Sequence, residues 1–425
     1  MPGLTSICIF EDNHFSQLYP MTLTRPVFDL RCGIFLLKEK ILRRFAENSV
    51  HLLCRGYLEE VFQESHPNSK INELSSESSE FCLFINGRVL ADAEFLSNLN
   101  KEKEWICTHK GTVVAAFLGR ENRTQLTSKE HNIVDFKQLK DVEKTEIVAN
   151  LINYPWDLIN HNSKQIESDF IALNAGGEIL GSVSKHAILL NRENIRIGLS
   201  SSVKAGAILD AEHGPIYIGE NVTIMANAVI VGAAFVGDNS TIKIGAKVYE
   251  GTSIGECCKV GGEVQETIFH SFGNKQHDGF LGHSYLGQWV NLGADTNNSD
   301  LKNNYGTVKV FIDGEFVDSR SKFVGLFMGD HSKSGINTMF NTGTVVGAMS
   351  NIYGGGFPPR DIPSFAWGGS DGFVKHDLEK AIETARIVMA RRGVEMSSAY
   401  EKMLRNVFEV TMVERESLGA ETSKM

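Results

Sequence analysis

Aliphatic residues recur every six positions through the middle of the chain, at Ile218, Ile224, Ile230, Val236, Ile242, Val248, Ile254 and Val260. An amphipathic helix repeats its apolar residues at three and four, and a half-buried strand at two. A sustained period of six fits neither. It fits a solenoid whose triangular coil takes three hexapeptides, about 18 residues per turn, with the aliphatic side chains lining a continuous core. A small residue often follows, as in Ile218-Gly219, Val236-Gly237 and Ile254-Gly255, and permits a tight corner. The spacing returns at Met328, Ser334, Phe340, Val346 and Ile352, where Ser334 breaks the apolar pattern. Residues 173–373 are therefore expected to form a left-handed parallel β-helix built on a hexapeptide repeat, interrupted over 263–323.

The 425 residues exceed what one hydrophobic core usually serves, so two domains are expected. In the first half, apolar runs at 6–10, 50–54, 81–85 and 105–118 alternate with helical patterns. One pattern spans 34–47, with Ile34, Leu37, Ile41, Leu42 and Phe45 on one face. Strands alternating with helices point to a mostly parallel, Rossmann-like α/β domain over 1–150. The polar stretch 65–80 reads as a mobile surface loop, and 151–172 as a linker containing a helix. The tail, 374–425, returns to helical stripes, with Leu378, Ile382, Ala385, Val388 and Met389 on one helix and Tyr400, Leu404, Val407 and Phe408 on the next. These stripes are expected to cover the solenoid or a neighbouring subunit.

A net charge of -10 supplies no basic stripe, so nucleic acid is not an expected partner. A small anionic substrate needs only a local basic pocket. No apolar run approaches the roughly 20 residues of a membrane span, and the opening residues lack a secretion signal. No membrane partner and a cytoplasmic location are expected. The seven cysteines form no CxxC pair, which suits reduced thiols, and adjacent Cys257 and Cys258 read as two small residues on a packed coil.

Interruptions in a regular solenoid are where chemistry finds room. The stretch 263–323 holds His277, His283, Asn291 and the amide-rich run 297–306, NNSDLKNNYG. Acyl transfer from a thioester to an amine needs a base for the amine proton, and neutral histidine suits that role near pH 7. Asparagine amides can hold sugar hydroxyls or a developing oxyanion.

Residues 277–294, HDGFLGHSYLGQWVNLGA, resemble the acetyltransferase domain of the bifunctional UDP-N-acetylglucosamine diphosphorylase/glucosamine-1-phosphate N-acetyltransferase family. The resemblance gives His277 the position of the family's catalytic base. It gives Asn291 that of a sugar-binding asparagine, and Asn304 and Tyr305 that of a following Asn-Tyr pair. Phe280 stands where the family has an active-site tyrosine. The family's two basic residues on the sugar phosphate have no direct counterpart. Thr267 falls near its lysine, and Lys275, Lys302, Arg320 or Lys322 are the candidates to replace them; Lys275 is taken as substrate-binding.

Leu18-Tyr19-Pro20-Met21-Thr22 and Arg25-Pro26 resemble the opening of sugar-1-phosphate nucleotidyltransferases. The family's glycine-rich phosphate loop is replaced by Glu11-Asp12-Asn13-His14-Phe15-Ser16, and its lysine after proline by Val27. Thr24-Arg25-Pro26, Asp29-Leu30-Arg31 and Asn86-Gly87-Arg88 resemble an alternative bacterial branch of the bifunctional family. There Arg25 and Arg31 would grip phosphates, with Asn86 and Arg88 also at the nucleotide.

The resemblance implies acetyl transfer from acetyl-CoA to an amino-sugar 1-phosphate, glucosamine 1-phosphate above others, coupled to uridylyl transfer from UTP. Mg²⁺ would serve the second step, and the solenoid would assemble as a homotrimer. Metal ligands are not assigned. Two other readings share the architecture. One is a non-catalytic regulatory or scaffold subunit that binds sugar nucleotide. The other is a zinc carbonic anhydrase drawing on His270, His277, His283 and His331.

Overall fold

The eight hexad residues from Ile218 to Val260 are all buried. In the computed structural model, which describes residues 4–45, 49–74, 79–92, 95–96, 99, 103–126, 133–416 and 418, they line a three-sided, left-handed parallel β-helix. One inward column runs Ile218, Val236, Ile254, Phe269, Leu286, Met328, Val346, Ile362, each in parallel register with the next. Each buried aliphatic of this kind stabilises the fold by about 1.5–3 kcal/mol relative to exposure. The corners explain the small residues: a Cβ on Gly255 would lie 1.8 Å from the His270 carbonyl oxygen of the next coil.

The interruption is shorter than the sequence suggests. Ile254 pairs with Phe269 and Val260 with Lys275, so Val264, Phe269, Lys275, Leu281, Leu286 and Leu292 continue to point inward. Several corners here are shorter than six residues, which hides the repeat without ending it. The segment 299–323 does leave the prism, carrying an antiparallel hairpin of Lys309–Ile312 and Glu315–Asp318. Ser334, the flaw in the second run, is satisfied inside the prism by the Thr296 hydroxyl at 2.8 Å.

The N-terminal sheet has seven strands: β1 (Leu4–Phe10), β2 (Ser49–Leu53), β3 (Lys70–Ile71), β4 (Phe81–Asn86), β5 (Trp105–His109), β6 (Thr112–Gly119) and β7 (Glu143–Glu146), in the order β3-β2-β1-β4-β6-β5-β7. It is mostly parallel, as expected, with β1 parallel to β2 and β4, β2 to β3, and β5 to β7. The run 105–118 folds back at Lys110-Gly111, whose φ angles of 48° and 78° suit a two-residue hairpin turn, so β6 is antiparallel to both β4 and β5.

The helix expected over 34–47 is confined to Leu37–Leu42. Ile34 and Phe35 instead donate their backbone N–H groups to Asp169, and 46–48 lie outside the described residues. Within the expected loop 65–80 the structure places β3; 75–78 lie outside the described residues.

The N-terminal domain lies along one flank of the prism. That flank presents an outward column of Phe235, Ser253, Ile268, Tyr285, Phe327 and Val345. The bridging helix Pro155–Leu173 sets Ile166 and Phe170 with Ile34 against Phe235. Ile268, Tyr285 and Phe327 join the core of the α/β domain, together with Val308, Val310 and Ile312 of the inserted hairpin. Two tail helices, Leu378–Ala390 and Ser398–Val410, bury Ile382, Ala385, Met389, Leu404 and Val407. No helix among the described residues is long and apolar enough to cross a membrane.

Candidate functional site

In an open α/β sheet ligands sit beyond the carboxyl ends of the strands, and Asp12 lies two residues past the end of β1. Its carboxylate accepts from Arg88 Nε at 2.9 Å and from Asn86 Nδ2 at 2.8 Å. Arg88 is fully buried, and its Nη1 also donates to the Ile152 carbonyl at 3.0 Å and to Asn153 at 2.8 Å. Burial pushes the Asp12 pKa up. Hydrogen bonds from His14, Arg88 and Asn86, with the Arg88 charge, outweigh it and hold the carboxyl well below its usual range. Asn86 and Arg88 are thus brought together at the strand ends, around Asp12. A cleft of about 380 Å³ adjoins them, lined by Asp12, His14, Thr108, Lys137 and Lys144 among others.

Arg25 and Arg31 have partners other than the expected phosphates. Arg25 is buried against Asp330 of the β-helix, with Nη1 3.0 Å from Oδ1. Arg31 grips Glu256 through Nη2 at 2.7 and 2.8 Å, and its backbone N–H donates to the Tyr285 hydroxyl at 2.9 Å. Both guanidinium groups therefore tie the two domains together. The physical reason is their position: the 18–34 segment faces the flank of the prism, which sequence spacing cannot reveal.

In the β-helix, Lys275 occupies an inward position in register with Val260. Its Nζ donates to the carbonyls of Gly261 at 3.1 Å and His277 at 3.0 Å. Burial pushes its pKa down to about 8, against the charges of Asp278, Asp295 and Glu263. Lys275 thus braces from inside the corner that carries His277, rather than facing a substrate. His277 itself is exposed.

Asn291 points outward beside Asn274, whose Nδ2 donates to it, and both line a cleft of about 340 Å³. Asn304 lines another, of about 540 Å³, with Asn341 and Thr342, and Tyr305 beside it is exposed. Within one chain, then, His277, Asn291 and the Asn304-Tyr305 pair do not share a cleft.

The other histidines are engaged inside the chain. His270 Nε2 meets the Asp29 carbonyl at 2.8 Å, His283 pairs with Asp300 at 2.8 Å, and His331 meets the Tyr400 hydroxyl at 2.9 Å. His270 and His331 are buried, which removes them from any zinc site between subunits. Cys258 points into the coil, and burial pushes its thiol up to about 12.

A family model described as sugar nucleotidyl transferase matches residues 7–178, the α/β domain together with the bridging helix. This stretch is similar to sugar nucleotidyl transferases. Among curated relatives, the bifunctional sugar-1-phosphate nucleotidylyltransferase/acetyltransferase of Sulfurisphaera tokodaii is 32% identical over 100 residues, 24% of this chain and 25% of that one. The bifunctional protein GlmU of Synechococcus elongatus is 28% identical over 177 residues, 41% and 34% of the two chains. That of Heliobacterium modesticaldum is 27% identical over 317 residues, 69% and 63%. The chain is similar to these bifunctional transferases over part of its length. The matched stretches span less than two thirds of those relatives' own lengths.

In the N-terminal domain both oxygens of Asp12 accept N–H donors, and no group of three or more His, Cys, Asp or Glu side chains that could hold a metal gathers among the described residues. Sequence reasoning missed Asp12 as the hub of this site. Its signal was the acidic pair Glu11-Asp12 after an apolar strand. It also missed Lys259, Lys333, Arg391 and Arg392, which surround Asn291.

Proposed function

We propose that the β-helix transfers acetyl from acetyl-CoA to the amine of an amino-sugar 1-phosphate, glucosamine 1-phosphate, and that the N-terminal domain joins the product to UTP with release of pyrophosphate. The reading is carried by His277, an exposed imidazole on a coil corner braced by Lys275, in a chain similar over part of its length to bifunctional nucleotidylyltransferase/acetyltransferases. The ring takes the amine proton as nitrogen attacks the thioester carbonyl, and passes it to the coenzyme A sulfur as the C–S bond breaks. Positioned base catalysis of this kind contributes roughly 10²–10⁴ in rate. Asn291 and Asn304 hold sugar hydroxyls. Because they lie in separate clefts of one chain, a neighbouring copy completes the site, in keeping with a homotrimer.

Thiol release from acetyl-CoA with a panel of amino-sugar phosphates tests this, comparing the native chain with His277→Asn. A fall of at least roughly 100-fold with glucosamine 1-phosphate is the expected result. No release with any acceptor from folded protein sinks the acetyltransferase reading.

For the N-terminal domain a second reading has specific support. The phosphate loop lacks glycine, so the usual cradle of backbone N–H groups is missing, and Asp12 is tied to Arg88. Binding of sugar nucleotide without turnover follows from that arrangement. Pyrophosphate release from UTP and N-acetylglucosamine 1-phosphate separates the two.

A further inference from the structure

One face of the prism carries an outward ladder in which Thr241, Lys259, Asn274, Asn291 and Lys333 are successive register partners. The end of the first tail helix closes over this ladder and brings Arg391 and Arg392 to the cleft of about 340 Å³. Four cations therefore surround one cavity. None of them has a carboxylate within ion-pair distance among the described residues. Lys333 Nζ donates to the His331 carbonyl at 2.7 Å, and Arg392 Nη1 to the Cys257 carbonyl at 3.2 Å, which leaves their charge uncompensated.

The crowding is visible at Lys259. The Arg392 charge, burial, and the charges of Lys243 and Arg391 lower the Lys259 pKa. Burial pushes that of Lys333 down to about 8. Gathering like charges without a counter-ion opposes folding, and a bound anion offsets it. A second observation is independent of charge. Asn274 Oδ1 is buried with no hydrogen-bond partner, a costly state that a ligand O–H donor would relieve. Stacked Phe272 and Trp289, with ring centroids 4.0 Å apart, supply an apolar wall.

We infer that this cleft binds a hydroxylated phosphate ester, with the phosphate among Lys259, Lys333, Arg391 and Arg392 and a ligand hydroxyl donating to Asn274. The inference rests on the proposed acetyl transfer only for its ligand. A sugar 1-phosphate and the phosphates of coenzyme A share this chemistry, and either could come from that reaction. The tail helix then does more than cover the solenoid, since it brings two of the four cations.

Isothermal titration of the full chain with glucosamine 1-phosphate, coenzyme A and inorganic phosphate, at low and high salt, tests the site. The native chain should bind at least one of the three, more weakly at high salt. Arg391→Ala, at an exposed position, and Lys333→Met should each weaken it about tenfold or more, as the loss of a charged hydrogen bond implies. The ligand that binds identifies the source. No binding of any of the three, or equal affinity in the native chain and both variants, overturns the inference. Phosphate binding retained in a chain that releases no thiol from acetyl-CoA would sink the acetyl-transfer reading while leaving this cleft intact.

Discussion

Arg25 of the N-terminal domain and Asp330 of the β-helix face each other in parallel, with Nη1–Oδ1 at 3.0 Å and Nη2–Oδ2 at 2.5 Å, and both are buried. Asp330 also accepts from Thr24 Oγ1 at 2.7 Å and from the Gln288 backbone at 2.9 Å. One carboxylate thus holds two residues of the first loop against the coil.

Removing that carboxylate leaves a buried guanidinium unpaired. Asp330→Ala should destabilise the chain by about 3–5 kcal/mol, and Arg25→Met with Asp330→Leu should recover much of the loss. Urea unfolding of the three proteins checks this. A single-variant loss below about 1 kcal/mol, the level of an exposed ion pair, would show that the pair does not hold the domains together.

Asp12 gives an acid-dependent contribution. Its folded pKa lies below the unfolded value, about 3.9. The stability it contributes is therefore complete above that value and is lost as pH falls toward the folded pKa. The stability gap between the native chain and Asp12→Asn should narrow from pH 5 to pH 2. A gap that stays constant over that range would mean Asp12 is not an ionised partner of Arg88.

Lys275 has the opposite behaviour. Its folded pKa of about 8 lies below the unfolded one, so between the two the unfolded chain binds more protons and stability rises with pH. Compared with Lys275→Met, the native chain should gain stability from about pH 8 to about pH 10. Thermal melts at matched ionic strength read the difference, and a flat profile would place the amine in water.

Coil stacking at Gly255 tolerates no side chain. A Cβ there would meet backbone 1.8 Å away, so Gly255→Ala must move one coil against the next. A loss of about 1–3 kcal/mol or more is expected, as for overpacking a core. Melting at the native temperature would show that the corner is looser than the structure depicts.

Much of the solenoid was legible because a six-residue period has one simple structural solution. The short corners after Val260 were not, since a repeat read by fixed spacing is lost when the loop shortens even though the strands still pair. The hairpin Lys309–Ile312 and Glu315–Asp318 was unreadable for another reason: its Val310 and Ile312 bury into the distant α/β core. His277 was singled out in the sequence because its neighbours resemble a known pattern, and the structure places it exposed on a coil corner.

The sequence by itself determined the two architectures, the helical tail and the histidine corner, because periodicity and local motifs act over a few residues. The tertiary structure alone decided that the α/β domain lies along the prism, that Arg25 and Arg31 pair with Asp330 and Glu256, and that Arg391 meets Lys259 and Lys333 at one cleft. Those outcomes depend on which faces pack. The hint was present in Phe235, Tyr285 and Phe327, apolar residues pointing outward from one flank. An outward aromatic reports that something covers it; only packing reveals which distant charge is buried beside it.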